Sequence, residues 1–341
     1  MMKLIINLFK TSLFIFATML KFFCGVKKGF YYTLFLFLVG LQSFGQDPTF
    51  SQFYANRLYL NPAFAGTSNC PRLTLNYRNQ WPGIDNSFIT YAASFDQQID
   101  AINGGIGVQL LSDRAGEGVL NTTSAAFMYS YEFKVNRKFS IRAGFQATVF
   151  QKSIDVSNLR FGDMIDSRRG IVYQTQEQIN NDNVLYPDFS FGMLGYGRKT
   201  YFGFSVHHLT SPDEGFIDQA TLDRRYTGHF GAVFPFGLRN DDMTWSPNVI
   251  FQQQGQFQEL NLGVYVTKGP LVLGLWNRIG DSWTALLGLE IDAFKIGYSY
   301  DMTSSELANV QTSGSHEISL SYVFPCRPRP KKFETISCPS F

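Results

Sequence analysis

The sequence offers few residues whose type and spacing could do chemistry. Its four histidines, His207, His208, His229 and His316, are the side chains with an ordinary pKa nearest neutrality. His207 and His208 are adjacent, and neighbouring side chains on a strand point to opposite faces, so they are not expected to act as a pair. His229 and His316 stand in other segments, with no G-x-S-x-G turn or metal-spaced partner beside them. The cysteines contain no C-x-x-C pair, which argues against zinc. Cys326 and Cys338 close a short loop that an oxidising compartment could join, which leaves Cys70 over. The expectation is a non-enzymatic protein with no catalytic residue, no cofactor and no metal.

The elements that carry these residues read as strands. From Arg72 onward, apolar side chains alternate with polar or small ones, the period-two signature of a strand with two different faces. Phe139, Ile141, Ala143, Phe145, Ala147 and Val149, for example, oppose Ser140, Arg142, Gly144, Gln146 and Thr148. Such segments fall near 72–80, 88–96, 104–112, 120–133, 138–152, 186–196, 201–208, 225–234, 243–252, 259–267, 271–278, 282–291, 294–302 and 316–324. Most have the ~9–11 residues that a tilted strand needs to cross a bilayer. In hydrocarbon a strand is tolerated only with both edges paired, so the set must close on itself. The predicted fold is all-β: a transmembrane antiparallel β-barrel of about 14 strands over residues 72–324.

Composition agrees. Charged and aromatic residues each make up 16% of the chain, with 34 Phe and 30 Gly, and the mean hydropathy is −0.08. Apolar residues spread by alternation give that balance where gathered blocks would not. The long connections, 153–185, 209–224 and 303–315, all follow odd-numbered strands, whereas 135–137, 197–200, 268–270 and 292–293 are tight even-numbered turns. Outer-membrane barrels keep their longer loops outside, so the expectation is an outer-membrane protein with periplasmic termini. Trp81, Trp245, Trp276 and Trp283 fall near strand ends, as aromatic girdles do. Arg78, Gln80, Arg142 and Gln146 lie on polar faces and are expected to line the lumen.

Residues 1–45 read as a signal peptide, with an apolar run at 30–39 before Ser43-Phe44-Gly45 and with translation starting at Met1 or Met19. A transmembrane helix or a lipoprotein cysteine at Cys24 are the alternatives. The leader carries five lysines and no acid, so the formal charge of +2 turns negative without it. That argues against a nucleic-acid partner, whose phosphates call for clustered cations. Residues 46–71 lack alternation and are expected to form a short amphipathic helix, a periplasmic cap or a plug. Ser51 is placed to cap a helix running to Tyr59, and Asn61-Pro62 to end it. The tail 325–341, with Arg327, Arg329, Lys331 and Lys332, is expected to be extended, basic and periplasmic.

One set of motifs is more specific. Asp47-Pro48-Thr49-Phe50-Ser51-Gln52-Phe53 is followed by Asn56, by Leu60-Asn61-Pro62-Ala63 and by Ala65-Gly66. Tyr77-Arg78-Asn79-Gln80-Trp81, Gly105-Ile106-Gly107-Val108 with Asp113 and Gly116, and His208-Leu209 come after them. This succession resembles the PorP/SprF family of type IX secretion membrane proteins. The resemblance implies an outer-membrane barrel of the secretion and gliding apparatus that assists export or surface attachment of a large adhesin. Its partners would be outer-membrane lipid, that adhesin and other type IX secretion components. It also implies that Asp47, Pro48, Phe50, Ser51, Gln52, Asn56, Asn61, Pro62, Ala63, Gly66, Arg78, Gln80 and Trp81 form a shared structural or docking element. A porin or hydrophobic-solute channel is the other reading. The acidic residues Asp155, Asp163, Asp166, Asp213, Glu214, Asp218 and Asp223 are expected to form a partner-reading surface on the long connections.

Overall fold

Strand Phe139–Ile154 shows the chain folding inside out: Ser140, Arg142, Gln146 and Thr148 are buried, whereas Phe145 and Val149 are about half exposed. A wall with hydrocarbon outside and a packed polar interior has this pattern. The computed structural model describes residues 46–326 except 69, 85–86, 117, 137, 167, 174, 176–181, 198, 217–218, 238–242 and 305–311. The expected leader, most of the tail and Cys338 therefore lie outside the described residues.

Fourteen antiparallel strands form the wall. They are β1 (Arg72–Gln80), β2 (Phe88–Ile99), β3 (Gly104–Ala115), β4 (Leu120–Asn136), β5 (Phe139–Ile154), β6 (Asn183–Tyr196) and β7 (Thr200–His207). The circuit continues with β8 (Arg225–Ala232), β9 (Met243–Gln254), β10 (Phe257–Lys268), β11 (Leu271–Arg278), β12 (Ser282–Ile291), β13 (Phe294–Thr303) and β14 (Ser315–Val323). Each pairs with its sequence neighbours, and β1 closes on β14 in a register from Arg72 opposite Val323 to Gln80 opposite Ser315. All fourteen predicted strands are present, and β4 and β5, with 17 and 16 residues, outrun the expected length.

The two ends of the barrel differ. One, here the loop end, carries 155–182, 208–224 and 304–314 after β5, β7 and β13. The other, the turn end, carries the short connections 137–138, 269–270 and 292–293, and β1 starts and β14 finishes there. The ten residues 233–242 between β8 and β9 depart from this sorting. Part of that connection, Phe234–Pro235, pairs with β9.

Cys70 and Cys326 form a disulfide with a Cα separation of 5.6 Å, in place of the Cys326–Cys338 bond that sequence spacing had offered. The reason is topological: closure sets the start of β1 beside the end of β14, which distance along the sequence does not reveal. Trp276 also departs from expectation. It is 1% exposed and points inward, its ring filling the space beside Gly263, where a Cβ would lie 2.1 Å from the indole. Trp245 and Trp283 do face outward, 38% and 46% exposed.

Candidate functional site

Residues 47–66, the arm, lie inside the barrel. Of the expected cap, helix or plug, the plug is what forms. Phe53, Tyr54, Leu58, Leu60 and Phe64 make one apolar cluster with the inward-facing Leu194, Tyr201, Ile250, Tyr265 and Trp276 of the wall. The helix expected from Ser51 is only the single turn α1 (Arg57–Leu60), after which Pro62–Phe64 forms a 3₁₀ turn. A longer helix would satisfy the arm's backbone internally. Here short turns within the arm satisfy some of these groups and side chains of the wall take others, among them the N–H groups of Asp47, Ser51, Gln52 and Gly66, which leaves the arm free to remain irregular.

From the loop end inward, the contacts follow one another down the lumen. Asp47 donates its backbone N–H to Gln254 Oε1 at 3.1 Å, and its carboxylate lies 2.7 Å from His208 Nε2 and 3.1 Å from Arg225. His208 Nδ1 reaches Asp188 at 3.0 Å, so one imidazole bridges two carboxylates. Arg225 lies over the ring of Tyr59 at 4.5 Å, and the Tyr59 hydroxyl donates to the Pro48 carbonyl at 2.6 Å. Burial alone would raise the Asp47 carboxyl, but the cations His208 and Arg225 more than reverse this and hold it far below the ordinary range. Burial would likewise discharge His208, yet the Asp47 and Asp188 carboxylates overcome it and lift its pKa to about 9.

Deeper in, Glu317 accepts the backbone N–H of Ser51 at 2.7 Å and of Gln52 at 3.3 Å. The Ser51 hydroxyl donates to Asp301 at 2.5 Å, and Arg78 closes the cluster on Asp301 at 2.8 Å and Glu317 at 3.2 Å. Gln52 donates to the Glu317 carbonyl and accepts from Ser319 Oγ. At mid-height, Gln109 donates to Asn56 Oδ1 at 2.8 Å, and Asn61 donates to the carbonyls of Met193 and Phe204 while its Oδ1 accepts from Ala63 N. Towards the turn end, Ser130 and Arg142 donate to the Ala65 carbonyl at 2.6 and 2.9 Å, and Asp96 accepts Gly66 N–H while pairing with Arg72.

Backbone approaches backbone here, and glycine permits it. A Cβ on Gly144 would sit 2.4 Å from Ala63 N, and one on Gly105 2.5 Å from Gly66 Cα.

Most of the residues singled out in the sequence thus come together, with Asp47, Pro48, Phe50, Ser51, Gln52, Asn56, Asn61, Pro62, Ala63 and Gly66 in the arm and Arg78 against it. Gln80 and Trp81 do not join them: Gln80 pairs with Ser315 and Phe88 at the strand end, and Trp81 packs its ring on Phe88. The histidines also differ from expectation. His208 has a φ of 58° just past the end of β7, which breaks alternation and buries it, like His207, instead of turning it outward. His229 stacks on Phe64, and His316 bonds Tyr298. No group of three or more His, Cys, Asp or Glu side chains suited to a metal occurs among the described residues. Asp96, Asp188, Asp301, Glu317, Tyr59 and Arg225 were not singled out from sequence. The usable signal was ionisable residues on the inward face of strands, where each must find a partner.

The loop acids are largely engaged locally. Asp155, Asp166 and Asp213 accept backbone N–H groups of their own turns, and Glu214 pairs with Lys152. Asp218 lies outside the described residues.

The model of the family described as type IX secretion system membrane protein PorP/SprF matches residues 42–322. The chain belongs to that family. It is a PorP/SprF outer-membrane β-barrel, and the family associates it with the secretion apparatus and with outer-membrane lipid. No curated protein matches it. Among solved structures, this PorP/SprF chain is similar to the Pseudomonas putida toluene transporter TodX, at 10% identity and a TM-score of 0.45 over 78% of this chain and 93% of that one. The Ralstonia pickettii toluene transporter TbuX is 11% identical, with a TM-score of 0.44 over 79% and 93%. The Acinetobacter baumannii outer membrane protein Omp33 is 7% identical, with a TM-score of 0.43 over 76% and 100%.

Proposed function

We propose that this PorP/SprF barrel is a non-enzymatic component of type IX secretion that assists the export or surface attachment of a partner protein such as a large adhesin. The observation that carries this reading is the filled lumen. An interior packed by Phe53, Tyr54, Leu58 and Phe64 and tied by buried ion pairs is built as a rigid support and not as a solute path. In this reading the loop end faces outside the cell, the turn end faces the periplasm, and residues 1–45 are a cleaved leader. The motif residues of the arm then serve as an internal strut, and recognition falls to the connections 155–182 and 208–224.

Deleting the gene and shaving the cell surface with protease tests this. One or more large surface proteins should be lost, and restored by the wild-type gene but not by one whose 155–182 connection is cut to a short turn. An unchanged set of surface proteins overturns the reading. A large steady current from the purified protein in planar bilayers would favour the channel reading instead.

A further inference from the structure

β1 starts at the turn end, so a segment preceding it would most simply hang below the barrel. The arm does the opposite. Gly66 bonds Asp96 near the turn end, whereas Asp47, nineteen positions earlier, bonds Gln254, His208 and Arg225 at the loop end. Gln254 and Arg225 are register partners at the loop-end limits of β9 and β8, so the placement of Asp47 does not depend on a single contact. Near the arm's other end, Cys70 is tied to Cys326 just past β14, which anchors the approach to β1 at the turn end.

The arm's main chain is held by side chains from strands all round the wall. Gln254 of β9 takes Asp47 N–H, Glu317 of β14 takes Ser51 and Gln52 N–H, Ser205 of β7 donates to the Leu60 carbonyl, and Asp96 of β2 takes Gly66 N–H. Withdrawal would leave these buried groups without partners, so the threaded state is the resting one. We infer that the arm is threaded through the barrel so that Gln46, which is exposed, emerges on the outer face of the cell among the long connections. The cellular side named here rests on the orientation proposed above, but the threading itself does not.

Single-cysteine labelling tests both. In a Cys338→Ser background that keeps the Cys70–Cys326 bond, a Gly-Cys-Gly insertion between Gln46 and Asp47 is compared with Arg168→Cys on the 155–182 connection and Lys138→Cys on a turn-end turn. A membrane-impermeant maleimide is applied to intact and to permeabilised cells. The inserted cysteine should label on intact cells together with Arg168→Cys, while Lys138→Cys labels only after permeabilisation. An inserted cysteine that behaves like Lys138→Cys while Arg168→Cys labels on intact cells overturns the threading. Labelling of Lys138→Cys but not Arg168→Cys on intact cells overturns the orientation, and with it the surface claim. Threading then stands or falls by which of the two the inserted cysteine follows.

Discussion

Asp47 and His208, 161 residues apart in sequence, meet at 2.7 Å at the mouth of the barrel. Asp188 and Arg225 complete the group, so two carboxylates face two cations with Tyr59 alongside.

This cluster sets a pH dependence. His208 is raised from 6.5 to about 9, so its contribution is complete below pH 6.5 and is lost as pH rises through 9. Asp47 is lowered from 3.8, so its contribution is complete above pH 3.8 and is lost only in stronger acid. The mouth should therefore be firmest between about pH 4 and 6.5 and loosen towards pH 9–10. Protection of Asp47 and Ser51 amides, followed by hydrogen exchange in detergent, should fall over that alkaline range. Asp47→Asn should lower stability by about 3 kcal/mol in urea unfolding at pH 6, since it leaves two buried cations, His208 and Arg225, with the single carboxylate of Asp188. A wild-type-like midpoint would show that the cluster does not hold the arm in place.

Gly144→Val removes the space that Ala63 and Pro62 occupy, because even its Cβ would lie 2.4 Å from Ala63 N. The arm should be displaced, becoming cleavable by added protease while the barrel keeps the heat-modifiable gel mobility of a folded wall. Unchanged protection of the arm would show that the approach is not limiting.

The double change Cys70→Ser with Cys326→Ser removes the bond that joins the two seam strands. A single change is less informative, since it frees a thiol that can seek Cys338. Closure entropy for a loop with a sequence separation of 256 corresponds to about 5 kcal/mol as an upper figure. A clear drop in thermal midpoint is expected, with no change in labelling at the loop end.

Arg78 is the cation that Asp301 and Glu317 share. Arg78→Met should cost about 3–5 kcal/mol, because two buried carboxylates then lack a counter-charge. Ser51→Ala, which removes one hydroxyl from the same cluster, should cost about 1 kcal/mol. Similar losses for the two variants, measured by urea unfolding, would mean that the arginine is not the organising charge.

Much of the wall was legible because a lipid-facing strand writes its two solvents into alternate residues: Phe294, Ile296 and Tyr298 face out, and Ser299 and Asp301 face in. The sorting of long and short connections was legible for the same reason, since it follows once the strands are counted. The arm was legible only as an exception to alternation. Its motif residues stood out, but their contacts did not, because Ser51 and Glu317 are 266 residues apart and meet only when the barrel closes. Ser51 was open to reading as a cap because local rules see only neighbouring backbone groups, whereas its partner belongs to another strand.

By itself, then, the sequence determined the strands, their number and their inside-out faces, since each depends on side chains two residues apart and on the solvent they meet. Only the tertiary structure decided that Cys70 meets Cys326, that Trp276 and His208 turn inward, and that the arm runs from one mouth of the barrel towards the other. Those outcomes depend on how β1 and β14 are brought together and on which groups then share an enclosed, poorly solvated interior, where a buried charge without a partner is too costly to persist.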